Sequence, residues 1–463
     1  MNFDSGFEPF EQDEEFNPWD RAEQKAVKAF ELYETGRMNE ALVAMNEALD
    51  INPANDRWHF NKALTLDAME KFDEAIEEFR LALDLNPNDI ETLNCLAVDY
   101  TRTGHYDLSL SVFEQIEKLE PDFEPCYCNR IITYTEMGEH EMAEQMFYLA
   151  QQINENCPLC FYNIGNSFFI RASFRKAVWC WEKTALLEPN HPQINYRIAQ
   201  GYWNLGSRNL AWRHFIEELK NNPGDKDVIF DFGLFLLHNG DTASAAEKFN
   251  RILETSPDYA AAVFYLGEIE LNRNNSKMAE KYYRRAMQLD SRLPGPRFRL
   301  GRPALQQGRK EEAFGLLASE LELDIQQSEV LLSIGLMMTE LGRLDYATHC
   351  FLKVSELEPS NGVNYLYLAK ALALRGELDE SEQFLDYALE LEPKNFAIAV
   401  EAAKTYLSMK NLRKALLVLT IARGENKNCG LSLLEYAIRF RIFLASARER
   451  LVYLLKPKIK NKR

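Results

Sequence analysis

"LEPSNGVNYLYLAKALALRGELDESEQFLDYALELEPKN", residues 357–395, begins and nearly ends on Leu-Glu-Pro, so that Pro359 returns as Pro393 after 34 residues. Pro53, Pro87, Pro121, Pro189, Pro223 and Pro257 are separated from one another, and from this pair, by 34 residues or multiples of it. A fixed period of this length marks stacked copies of one small structural unit, each too short to bury an apolar face alone. One register fits the chain. Repeats starting at Ala22, Asp56, Ile90, Glu124, Pro158, Pro192, Lys226, Ala260, Pro294, Ser328, Gly362 and Phe396 make twelve copies of 34 residues without insertion, ending at Cys429.

Within a copy the pattern is helical. In the repeat from Pro192, Ile198, Ala199 and Tyr202 recur at helix spacing, "NLGSRN" interrupts at 204–209, and Ala211, Phe215 and Leu219 resume the spacing. The eighth place is Gly or Ala in eleven of the twelve repeats, Ile131 being the exception, and the twentieth is Ala or Ser in all. Small residues at both places let two backbones approach closely, while larger neighbours fill the space around them. Glycines such as Gly36, Gly206 and Gly376 stand where the first helix must end, and the proline after the second helix stops it in turn. Ser291 and Ile325 replace that proline, and Pro303 falls within a first helix, which it is expected to kink or shorten.

With Gly165, Phe168, Ala177, Trp181 and Pro189 in one repeat, the chain resembles the tetratricopeptide repeat family. The resemblance implies an all-α, right-handed superhelical solenoid of about twelve hairpins over residues 22–429; outside it stand an acidic, aromatic-containing segment (1–21), an amphipathic stretch that suits a C-terminal capping helix (430–455) and a basic tail (456–463). It also implies a non-enzymatic scaffold or chaperone-like adaptor that holds an apolar or amphipathic protein segment in a concave groove lined by first helices. At the fifth place of the repeat, which the family turns inward, stand Phe60, Tyr162, Tyr196, Phe230, Phe264 and Phe298, the last five in consecutive repeats. Trp203 at the twelfth place joins them. Asn129 and Asn163 at the sixth place carry amides that can both donate to and accept from a peptide backbone. The combination of Lys, Asn and Arg with which some members clamp an acidic chaperone terminus is absent, the second place reading Glu23, Arg57, Glu91, Pro125, Leu159 and Gln193.

Composition narrows the alternatives. A chain that is 46% hydrophobic and 27% charged has an ordinary globular profile, so disorder is not the default. The acidic start and the lack of any run of about 18 apolar residues argue against a secretory leader or a membrane span, and the expected location is cytoplasmic. A net charge of −18 makes nucleic acid an improbable partner, the five positive charges of "KPKIKNKR" being the local exception. No phosphate loop, nucleophile elbow or paired-histidine zinc motif occurs, the seven histidines are scattered, and neither a catalytic residue nor a cofactor is expected. The one arrangement with ligand spacing is Cys126, Cys128, Cys157 and Cys160, at the starts of two successive first helices. Equivalent points on packed helices lie about 8–10 Å apart, which separates Cys126 from Cys160 and favours reduced structural thiols over a bound metal.

Overall fold

The computed structural model describes residues 18–425; residues 1–17, the capping helix expected at 430–455 and the tail 456–463 lie outside the described residues. Twenty-four α-helices and no strand occur among the described residues, the first pair being Pro18–Glu34 with Met38–Leu49 and the last Phe396–Ser408 with Leu412–Glu425. The chain divides into an N-terminal unit ending at Phe232 and a C-terminal unit starting at Gly233. Within each, helices pack chiefly against their hairpin partners and then against the next helix in the chain.

The eighth-place rule has a concrete cause, because a ring or a leucine from the twenty-fourth place lies over that position. A Cβ on Gly165 would come within 2.6 Å of the Trp181 indole, and one on Gly335 within 2.6 Å of Phe351. Trp181 is wholly buried by this approach, and burial on that scale makes truncation cost about 3–5 kcal/mol. Ile131 shows the exception from the other side. It fills the space itself, and Phe147, the twenty-fourth-place residue of that repeat, sits half-buried against Phe161, 5.4 Å between ring centroids.

The turn between the helices uses a left-handed residue at the fifteenth place in all twelve repeats. Eight are glycines; Glu70, Ala172, Asn274 and Lys410 adopt the same conformation with φ between 55° and 63°. Side chains there crowd the backbone, at a cost of roughly 1–2 kcal/mol each.

Two repeats depart from the pattern at the other end of the first helix. Gln193 (φ 56°) and Gly295 (φ 107°) are also left-handed, and the helices that follow, Ile194–Asn204 and Pro296–Gln306, have 11 residues where Ser328–Glu340 has 13. The shortening expected of Pro303 therefore comes from a late start. Helix Pro296–Gln306 ends at the thirteenth place like most of its counterparts, and Pro303 stays inside it, leaving the Arg299 carbonyl without its i+4 donor. In both repeats the twenty-seventh place, alanine in many others, is a buried glutamate. Glu218 accepts from the Tyr196 N–H at 3.3 Å, and Glu320 from the N–H groups of Gly295 and, at 3.4 Å, Phe298. Each carboxylate takes up donors that a helix start leaves without partners.

Candidate functional site

On the N-terminal unit the fifth and sixth places of the first helices are linked from repeat to repeat. Asn129 donates from Nδ2 to Asn94 Oδ1 at 3.0 Å, Asn163 donates to the Cys128 carbonyl at 3.0 Å, and Arg197 donates from Nε to the Tyr162 hydroxyl at 3.4 Å. At the next junction Tyr196 donates its hydroxyl to Asp231 at 2.7 Å, and Gln200 donates to the same oxygen at 2.9 Å. Burial, and then this partner, push the Tyr196 hydroxyl above its ordinary range. The amides of Asn129 and Asn163 thus tie successive first helices together.

The aromatic residues expected to line the groove fall into two groups. Phe60, at 4% exposure, lies with its ring 5.9 Å from that of Phe79, and Tyr196 is buried at 9%. Tyr162, Trp203, Phe230, Phe264 and Phe298 are half-buried. Tyr162 meets the His191 ring at 4.6 Å, Trp203 meets Phe215 at 6.4 Å, and Phe264 meets Tyr283 at 5.6 Å. Tyr162, Trp203 and Phe264 thus each meet a neighbouring ring while keeping part of their surface open.

The cysteines differ from the expectation in two ways. Cys128 and Cys160 form a disulfide across a Cα–Cα distance of 5.1 Å. Equivalent places of successive repeats are held apart, whereas Cys128 stands at the fifth place and Cys160 at the third, an offset that brings them together. Cys126 belongs to a different cluster, with Phe113 and Ile116, and donates its thiol to the Phe113 carbonyl at 3.4 Å. Glu124, one helical turn before Cys128, takes its place: one ligand atom from each of Glu124, Cys128, Cys157 and Cys160 lies within 4.8 Å of the others. Cys157 caps helix Pro158–Ile170, its Sγ accepting from the Cys160 N–H at 3.2 Å. Burial pushes the Cys157 thiol up to about 12, Glu124 adding to the shift, and burial alone leads the same rise at Cys126. Such thiols are unreactive at neutral pH.

The C-terminal unit holds a cleft of about 550 Å³ where helix Pro296–Gln306 meets helix Ser276–Leu289. Tyr283 and Phe298 give it an aromatic side, and Lys277, Arg284, Arg299, Arg302 and Arg309 surround it, with Glu280 the one acid lining it. Arg284 is paired with Glu280 and Glu312, Arg309 with Glu312, and Arg299 with Glu268. Lys277 and Arg302 are exposed. The sequence signal for this cleft was present: "PRFRLGR", 296–302, is a basic run in a strongly acidic chain. For Glu124 the signal was an acid four residues before a cysteine, which shares its helix face.

Profiles described as tetratricopeptide repeat match residues 32–96, 196–260 and 230–294. These segments are tetratricopeptide repeats. Among solved structures the chain is similar to a tetratricopeptide repeat protein from Parabacteroides merdae ATCC 43184 (16% identity, 56% of this chain and 98% of that one, TM-score 0.43). It is also similar to the APC/C hetero-tetramer Cut9-Hcn1 (14% identity, 90% and 96%, TM-score 0.38) and to yeast Tom70 (14% identity, 93% and 96%, TM-score 0.37). No curated protein matches the chain. Likeness at this level transfers no ligand. Among the described residues no helix is long and apolar enough to cross a membrane.

Proposed function

We propose that the protein is a non-enzymatic scaffold, or chaperone-like adaptor, of the cytoplasm that holds an amphipathic segment of a protein partner, one carrying acidic as well as apolar side chains. The observation that carries this reading is the cleft beside Pro303: an aromatic wall of Tyr283 and Phe298 within reach of the exposed cations Lys277 and Arg302, in a chain of net charge −18. Aromatic anchors supply affinity once desolvated, and a local positive field steers and selects an acidic ligand. Pro303 leaves the Arg299 carbonyl, on the same helix, without its i+4 donor. Phe264 adds a half-buried ring to this unit, and the N-terminal unit has half-buried rings at Tyr162, Trp203 and Phe230.

A random-peptide display selection on the full chain tests the reading. Peptides pairing aromatic or aliphatic residues with acids are expected, binding more weakly as salt rises. Phe298→Ala and Arg302→Glu should each reduce their affinity by about tenfold or more with helicity unchanged. Selection of peptides without acids, or equal binding by both variants, would remove the cleft from the site.

A further inference from the structure

We propose that Glu124, Cys128, Cys157 and Cys160 form a binding site for one soft divalent cation of the Zn²⁺ class, open in the reduced protein and closed by the Cys128–Cys160 disulfide. The donor set is the first support. Three thiols and a carboxylate converge from two successive first helices, Glu124–Glu136 and Pro158–Ile170, and the three cysteines are at least 96% buried, at 1%, 4% and 0% exposure. Buried sulfurs of this kind favour borderline-soft metals over Mg²⁺ or Ca²⁺. Thiolates at three corners and a carboxylate at the fourth also carry the same charge, −3 − 1 + 2 = −2 with the metal, as a four-thiolate structural zinc site.

The spacing of the donors fits as well. Tetrahedral coordination with bonds of about 2.3 Å to sulfur and about 2.1 Å to oxygen sets neighbouring donors roughly 3.5–3.8 Å apart. Cys157 Sγ lies 3.5 Å from Cys128 Sγ, and Glu124 Oε1 lies 3.4 Å from Cys160 Sγ and 3.0 Å from Cys128 Sγ. Once the disulfide opens, a modest separation of Cys128 and Cys160 completes the tetrahedron. Outer contacts are already in place: the Cys160 N–H points at Cys157 Sγ at 3.2 Å from the positive end of a 13-residue helix, and Asn163 holds the Cys128 carbonyl at 3.0 Å.

In the disulfide form Glu124 keeps the Cys157 thiol as its one sulfur donor. Neither sulfur of a disulfide carries a proton, so the Glu124 oxygen faces the Cys128 and Cys160 sulfurs without a donor from either. A cation among them takes the place of those two donors. Reduction by a dithiol breaks the sulfur–sulfur bond with two electrons, each cysteine sulfur takes one proton, and the reductant leaves as its own disulfide. Cation binding then releases the three thiol protons to solvent.

The test uses the full chain, reduced by a dithiol, freed of reductant without oxygen, and titrated with Co²⁺ as a spectroscopic stand-in. One equivalent is expected to give a thiolate-to-cobalt charge-transfer band, bleached by one equivalent of Zn²⁺ and absent from the oxidised protein. Cys157→Ser and Cys160→Ser should weaken binding by at least about tenfold, Glu124→Gln should weaken it while keeping the band, and Cys126→Ser should leave it unchanged. Circular dichroism on each variant separates lost ligands from lost helix, and Glu124, being only half-buried, tests the site with little risk to folding. Absence of the band in reduced protein, an equal band in oxidised protein, or a loss on Cys126→Ser matching that on Cys160→Ser with helicity intact would overturn the site.

Discussion

The repeats that start at Pro192 and Pro294, one in each unit, begin their first helices two residues late, and they handle the late start differently. In the first, a non-glycine residue, Gln193, takes the left-handed turn, and Glu218 receives one backbone N–H. In the second, Gly295 takes it, Glu320 receives two, and the Phe264 ring lies so close that a Cβ on Gly295 would stand 2.8 Å from it. The second repeat alone combines this start with Pro303 and the basic cleft. Both repeats keep the 34-residue count, so the variation is local: the hairpin contact is preserved while the helix start is rebuilt around a buried carboxylate.

The largest effects should come from those carboxylates. Glu320→Ala orphans two part-buried N–H groups and should cost about 2–5 kcal/mol, whereas Glu218→Ala orphans one buried N–H and should cost about 1–3 kcal/mol. Because each repeat touches only its neighbours, hydrogen exchange should show the loss in the mutated repeat and those flanking it. Equal costs for the two variants would mean that the second donor contributes nothing, and the contrast would fail.

Gly295→Ala comes next. It forces an alanine into a conformation that side chains rarely adopt and pushes its methyl into the Phe264 ring, so about 2–3 kcal/mol is expected. Pairing it with Phe264→Ala divides the two causes. If the ring is the obstacle, the double variant recovers part of the loss relative to Phe264→Ala alone; no recovery in a urea-unfolding cycle would assign the whole cost to the backbone.

A smaller effect separates Glu320 by its proton. Burial pushes its carboxyl above the usual value of 4.5, and its backbone donors pull it only part of the way back. The folded chain therefore holds this proton at a pH where the unfolded chain has released it. Its contribution to stability is full in acid and is lost as pH rises through the folded value. Glu320→Gln, which cannot titrate, should show a flatter decline in urea midpoint above pH 4.5 than the parent. An unchanged slope would place the titration elsewhere.

Much of this architecture could be read from the sequence, because close helix approach permits few residues: the Ala and Gly of the eighth place answer directly to rings such as Trp181 and Phe351. Turns were legible only where glycine marked them, since Glu70, Ala172, Asn274 and Lys410 adopt the same conformation under the pull of the hairpins they join. The candidate sites were harder. Asn163 has the chemistry of a peptide contact and is used on the Cys128 carbonyl, a backbone group that the stacking of the next repeat brings within its reach. Cys128 and Cys160 stand at different places of their repeats, and a comparison of like with like passes over that diagonal. Glu218 and Glu320 are the two acids in a column otherwise of Ala, Ile, Val and Thr, a signal that was visible but has meaning only beside a late helix start.

The smallest expected effect is also the sharpest test of why two residue types serve one turn. Gln193→Gly would relieve the left-handed strain, worth about 1–2 kcal/mol. It would also give the unfolded chain more freedom, costing about 0.4–1 kcal/mol, and it would remove the bond from Gln193 Nε2 to Asp225 at 3.1 Å. That bond is only half-buried and contributes about 0.5–1.5 kcal/mol. The terms nearly cancel, so a change within about 1 kcal/mol of zero is expected, and Gln193→Ala, which keeps the strain and loses the bond, should be less stable than Gln193→Gly. If Gln193→Ala matched the parent while Gln193→Gly fell well below it, the left-handed turn would carry no strain, and the choice of glycine at position 295 would rest on the Phe264 ring alone.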